Sequence, residues 1–168
     1  MSTTSIYRQK INNDINILNI LNKHYDWIPN EYTIRPSLDI LTLKKYNIED
    51  VNLNWESIKD YIFHYIFNRP YYINENNKNA ILNHNFEEKW IFNESQFRYN
   101  LPDNSNHYIL WNNKYNMFDD IDDDIINNVL TEFILNKFEH NKFNYAYYKN
   151  PKPTINDIWH VQVFFTQL

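Results

Sequence analysis

The spacing of apolar residues changes character partway along this chain. Between residues 6 and 24, Ile11, Ile15, Leu18 and Leu21 recur at steps of four, three and three, which predicts an amphipathic helix. Pro29 and Pro36 bracket an irregular stretch, and residues 38–48 fit neither a helical nor a strand period. From 54 to 67, Trp55, Ile58, Ile62 and the pair Tyr65/Ile66 fall on one helical face. Asn54 is the expected N-cap of that helix, with Glu56 and Ser57 in its first turn. Arg69-Pro70 is its expected stop, and residues 74–84 read as a short helix.

Beyond Lys89 strand-like segments take over. Trp90-Ile91-Phe92 and Phe97-Arg98-Tyr99 read as strand pieces, Pro102-Asp103-Asn104 as a turn, and His107 to Trp111 as a strand. Asp119 to Asp124 open a helix with an apolar face of Ile121, Ile125, Val129, Phe133 and Leu135 or Phe138. Asn144 to Tyr148 and Trp159 to Thr166 read as two more strands. The expected fold class is therefore α+β, in a single domain over 1–168, with a mainly helical part over 1–86 and a strand-rich part over 87–168.

Composition narrows the function classes. At 168 residues, with 43% hydrophobic and 18% aromatic content, the chain can bury a sizeable core and does not have the make-up of a disordered segment. The absence of cysteine excludes disulfides and thiolate metal sites. The first residues contain no apolar leader segment, and no run of about 18 apolar residues occurs. These features lead to the expectation of a cytoplasmic protein with no membrane contact. A net charge of −5 with scattered Lys and Arg argues against binding duplex DNA. Thirty Asn, 22 Ile, 14 Tyr and 11 Phe are residues of A/T-rich codons. They point to an A/T-rich genome, such as that of a giant virus, a slime mould or a malaria-type parasite; a viral source would place the protein in a host cytoplasm or a virion. The absence of Gly excludes P-loop and Rossmann phosphate loops. It also leaves turns that need positive φ to Asn.

Two histidines stand out. His107 opens one strand, and His160 opens the alternating segment His160-Val161-Gln162-Val163-Phe164. Alternation sends His160, Gln162 and Phe164 to one face and Val161, Val163 and Phe165 to the other. The Val163 face is the natural core face. The other presents a His and an amide roughly 6–7 Å apart. A single strand histidine is more often a hydrogen-bonded structural residue than a ligand, so spacing alone does not define a site. The acidic run Asp119 to Asp124 is best read as complementing a helix N-terminus. His24, His64, His84 and His140 share no metal-ligand spacing, and Asp60 with His64 reads as a structural pair on a helix. No metal and no cofactor is expected.

A resemblance adds roles to these residues. Phe97 to Pro102, Asn106 to Trp111, the following helix, Tyr147-Tyr148-Lys149-Asn150-Pro151 and Ile158 to Val163 together resemble the fungal N-acetylglucosamine-induced protein family. The likeness extends to Trp55 to Ile66. The same order is similar to a histidine-triad domain: a Pro turn, a His-led strand, a helix, a strand ending in Asn, and a last strand of alternating histidines. The resemblance implies a histidine-triad-like antiparallel sheet over 87–168 with packed helices and an N-terminal helical extension. It matches His107 to the first-strand His, Asn150 to the ribose- and phosphate-side Asn, and His160 to the first triad His.

The triad's nucleophilic position holds Gln162, and its third position holds Phe164. Gln donates a hydrogen bond but cannot form a phosphohistidine. The implied function is noncatalytic binding of a nucleotide, a dinucleotide or a cap-like RNA end. The phosphate would meet His107, Asn150, Lys152, Thr154, His160 and Gln162, and Trp111 and Trp159 would stand ready to stack a base. Two alternatives stay open. One is a phosphoester hydrolase or transferase using His107 and His160 as acid and base. The other is a viral structural or host-interaction protein with a protein partner. The ligand reading requires both imidazoles to sit side by side over one open cleft.

Overall fold

Helix α1 (Leu38–Asn54) begins where the Ser37 hydroxyl accepts a hydrogen bond from the Ile40 amide at 3.3 Å. Residues 7–8, 37–99, 105–137, 143–149 and 153–167 are described in the computed structural model. The segment without a clear period is thus helical. Its inward side runs through Ile40, Leu41, Lys44, Ile48 and Val51. Packing of Val51 and Trp55 against the rest of the chain selects the helix.

The expected helix over 54–67 is split in two. Asn54 ends α1, and the Trp55 amide closes onto the Val51 carbonyl at 2.8 Å. Trp55 is extended because it bridges Asn79, whose carbonyl accepts the Glu56 amide at 2.9 Å. The cap of the next helix, α2 (Ile58–Tyr65), is therefore Ser57 and not Asn54. Ser57 Oγ accepts from the Asp60 amide at 3.1 Å and donates to Asp60 Oδ2 at 2.5 Å.

Residues 74–84 are not a helix. β2 (Tyr71–Ile73) and β3 (Asn79–Ile81) form a hairpin. Asn74 Oδ1 accepts the amides of Asn76 and Lys78 at 3.0 Å each, and Asn77 takes φ 61°. Asparagine here performs the turn that Gly usually makes.

The second sheet has five strands. They are β1 (Tyr7–Arg8), β4 (Trp90–Glu94), β5 (Ser105–Asn112), β6 (Phe143–Tyr148) and β7 (Trp159–Gln167). Their order is β1-β6-β7-β5-β4, and every pair is antiparallel. The fold is α+β, as composition and order predict. Three details differ from the sequence reading. Tyr7 and Arg8 lie in a strand, so the helix expected from residue 6 does not include them; its remaining residues, like the turn at 102–104, lie outside the described residues. Phe97 to Tyr99 join no strand ladder; the Tyr99 amide bonds to His107 Nδ1 and its ring packs on His107. On helix α3 (Asp123–Lys137) the buried positions are Ile126, Asn127, Leu130 and Ile134; of the expected face, Ile121, Val129 and Phe133 pack partly buried against the same core, while Ile125 and Leu135 are exposed. Two rows of apolar residues at four-residue spacing compete for the core there. Hydrogen bonds from Tyr145 to Asn127 and from Tyr147 to Asp123 fix which row faces the sheet.

Both faces of the sheet are covered. α3 packs on Phe92, Tyr108, Leu110, Tyr145, Tyr147, Trp159, Val161, Val163 and Phe165. The opposite face carries Trp111, with Ile91 and Ile109. It is joined in one buried cluster to Val51 and Trp55, to Ile62, Phe63 and Phe67, and to Ile81 of the hairpin. No helix among the described residues is long and apolar enough to cross a membrane.

Candidate functional site

The β5–β7 register sets the geometry. His107 lies opposite Phe164, Ile109 opposite Gln162, and Trp111 opposite His160. His107, Gln162 and His160 therefore share one face, as alternation predicts. They do not share one position on it. His160 is four residues from the partner of His107, which is roughly 13 Å along the strand. The expected side-by-side imidazoles are replaced by two separate environments, because the register places Gln162 between them.

His107 is closed in. It is 2% exposed and lies between the rings of Tyr99 and Phe164, with centroids at 4.5 and 4.9 Å. Its Nδ1 accepts the Tyr99 amide at 3.1 Å. The proton is therefore on Nε2, which donates to Gln162 Oε1 at 2.6 Å. Burial lowers its pKa to about 4, helped by the Arg98 charge and opposed by the Gln162 bond. The ring is neutral near pH 7 and both nitrogens are occupied. Gln162, at the place of a covalent catalyst, commits its amide oxygen to His107.

His160 differs. It is 7% exposed, and its ring stacks on Trp111 with centroids at 4.7 Å. Nδ1 donates to the Ile158 carbonyl at 2.9 Å, so in the neutral ring Nε2 carries the lone pair. Nε2 has no hydrogen-bond partner among the described residues. Burial lowers the pKa to about 4, and the charges of Lys44 and Lys149 push it the same way. Lys44 projects from the inward side of α1, where burial lowers its own pKa. Lys149 follows β6 and donates to the Asp119 carbonyl at 2.8 Å. Its carboxylate neighbour, Asp120, is 3.7 Å away and 93% exposed, a weak pairing. Two cations thus act on one imidazole.

The remaining candidates scatter. Trp159 does not join Trp111. It lies on the α3 face and meets Trp90 edge-on at 5.5 Å, because adjacent strand residues point to opposite sides. Thr154 is exposed on the segment leading into β7, and Asn150 and Lys152 lie outside the described residues. The acidic run serves local structure: Asp122 Oδ1 accepts the Asp124 amide at 2.8 Å, and Asp123 and Asp124 occupy the first turn of α3. Asp60 pairs with His84 Nε2 at 2.8 Å and not with His64, whose Nδ1 bonds to the Arg69 carbonyl at 2.8 Å. No group of three metal-ligating side chains occurs among the described residues. His24 and His140 lie outside them.

Sequence reasoning missed Lys44 and Lys149. A signal for Lys44 was present: a lysine inside the apolar row Ile40, Leu41, Ile48, Val51 on a helix. Lys149 stood in the Tyr147 to Pro151 segment of the resemblance, but no role was attached to it. Compared with protein-family models, curated proteins and solved structures, the chain matches none.

Proposed function

We propose that this chain is a noncatalytic nucleotide-binding module of histidine-triad-like build whose ligand contacts centre on His160, Lys44 and Lys149. One observation carries the reading: the buried His160 ring, stacked on Trp111, leaves its Nε2 free of partners among the described residues, and the charges of Lys44 and Lys149, from different elements, lower its pKa. Ammonium groups suit phosphate oxygens. A bare imidazole nitrogen accepts a sugar hydroxyl, and a nucleotide offers both groups. The Gln162–His107 pair serves as a buried brace beside this site and not as a catalyst.

The test is a thermal-shift panel of nucleoside diphosphates, a dinucleoside polyphosphate and a cap analogue. A ligand at 100 times its dissociation constant stabilises by about 2.7 kcal/mol. The shift is expected to vanish in Lys44→Met and His160→Ala, and to persist in His107→Phe. No shift with any probe removes the proposal, as does a shift that both site variants retain.

A further inference from the structure

The small hairpin ends in an edge that pairs with nothing else among the described residues. β2 joins β3 alone. Across this hairpin the Asn74 amide donates to the Lys78 carbonyl at 2.8 Å. Alternation in an antiparallel ladder then points the Tyr72 N–H and C=O toward β3, and those of Tyr71 and Ile73 outward. The side chains are open as well: Tyr71 is 47%, Tyr72 46% and Ile73 63% exposed. The strand contains no charge and no proline, the usual means of blunting an exposed edge.

We propose that this edge forms a homodimer in which β2 of one chain pairs antiparallel with β2 of a second copy about a two-fold axis at Tyr72. The backbone sets this register. The axis puts Tyr71 of each chain across from Ile73 of the other, and each such pair exchanges both of its outward hydrogen bonds. Tyr72 meets its own mate as a non-hydrogen-bonded pair, the closer kind. The cross-strand contacts are aromatic–aromatic at the axis and aromatic–β-branched beside it, both favourable. A slip of two residues would lose half of this ladder.

Charge favours a second copy as the occupant. Arg69 precedes the strand and Glu75 follows it. The same axis brings the Arg69 end of each strand, where the guanidinium lies over the Phe86 ring at 4.3 Å, toward the exposed Glu75 end of the other, so the two facing ends carry opposite charge although the chain carries −5 overall. Pro70 falls in the inward row by the same alternation, so its missing amide costs the outer ladder nothing. Two three-residue strands cover less than the roughly 1,200 Å² of a stable interface. The dimer is therefore weak and concentration-dependent.

Sedimentation and light scattering over a wide concentration series test this. The mass should rise from the 20.8 kDa of one chain toward twice that value. Ile73→Lys should stay monomeric with an unchanged circular dichroism spectrum, and Glu75→Lys should weaken association. The chain has no cysteine, so Tyr72→Cys introduces a lone thiol. Under mild oxidant it should cross-link to a dimer much faster than Tyr71→Cys, whose mate lies across from a different residue. A wild-type chain that remains monomeric at every concentration overturns the proposal. So does a dimer that survives Ile73→Lys, or cross-linking no faster at Tyr72 than at Tyr71.

Discussion

Lowering the pH from 7 to 5 probes the burial of His107 and His160 directly. Each ring has an ordinary pKa of 6.5 that burial depresses to about 4 in the folded chain. The unfolded chain therefore takes up protons first. The stability due to keeping these rings neutral is complete above pH 6.5. It is lost as pH falls from 6.5 toward 4, and falls no further below that. At pH 5 the loss is about 2 kcal/mol for each ring, or about 4 kcal/mol for both, and near pH 5.3 unfolding takes up nearly two protons.

A loss of that size is a large part of the 5–15 kcal/mol that holds an ordinary domain together. Asp60 does not confuse the reading. Burial raises its pKa, but hydrogen bonds from Ser57, the Ile81 amide and His84, with the His84 charge, outweigh burial and hold it below 3.8. Its contribution is lost only as pH falls below that range. The assay is urea unfolding at several pH values between 7.5 and 5 at constant ionic strength. His107→Phe and His160→Phe should each remove about half of the pH slope, whatever they do to the absolute stability. A stability that stays flat from pH 6.5 to 5, or a slope that both variants leave intact, refutes the burial argument.

Three further outcomes are expected. Asp60→Ala leaves the Ile81 amide, bonded at 2.9 Å, without its acceptor and removes the carboxylate that accepts from the Ser57 hydroxyl at the start of α2. Urea unfolding should register a loss of about 2–4 kcal/mol, with faster hydrogen exchange at Ile81. Lys44→Met removes a half-buried ammonium with no ion-pair partner among the described residues. The ligand-free protein should gain about 1 kcal/mol by thermal melting, the sign of a group kept for function over stability. Asn77, at φ 61°, should accept Gly with a gain of about 0.5–1 kcal/mol, whereas Asn77→Ile should lose about 1–2 kcal/mol in the same melting assay.

The regular part of the fold was legible where a segment had one strong period. His160 to Val163 alternates polar and apolar, so strand and core face both follow, and Val161, Val163 and Phe165 are indeed buried against α3; His107 to Trp111 read as a strand from its apolar run, which marks no inner face. The Asn-rich segments were not legible. Asn54 looked like a helix start and is a helix end, and residues 74–84 looked helical and form a hairpin. In a chain without Gly, Asn serves as turn, helix interior and helix end alike, so its presence marks no particular structure.

By itself, the sequence determined the fold class, the inner face of the last strand and the exclusion of Gly-rich and thiolate chemistry, because those depend on local period and on which side chains exist. Only the tertiary structure decided what covers the second sheet face and which groups meet His160. Periodicity says which residues share a face, but register and the packing of distant helices set their neighbours. Those are properties of contacts far apart in the chain: β7 against β5 for His107 and Gln162, and the inward side of α1 for Lys44 and His160.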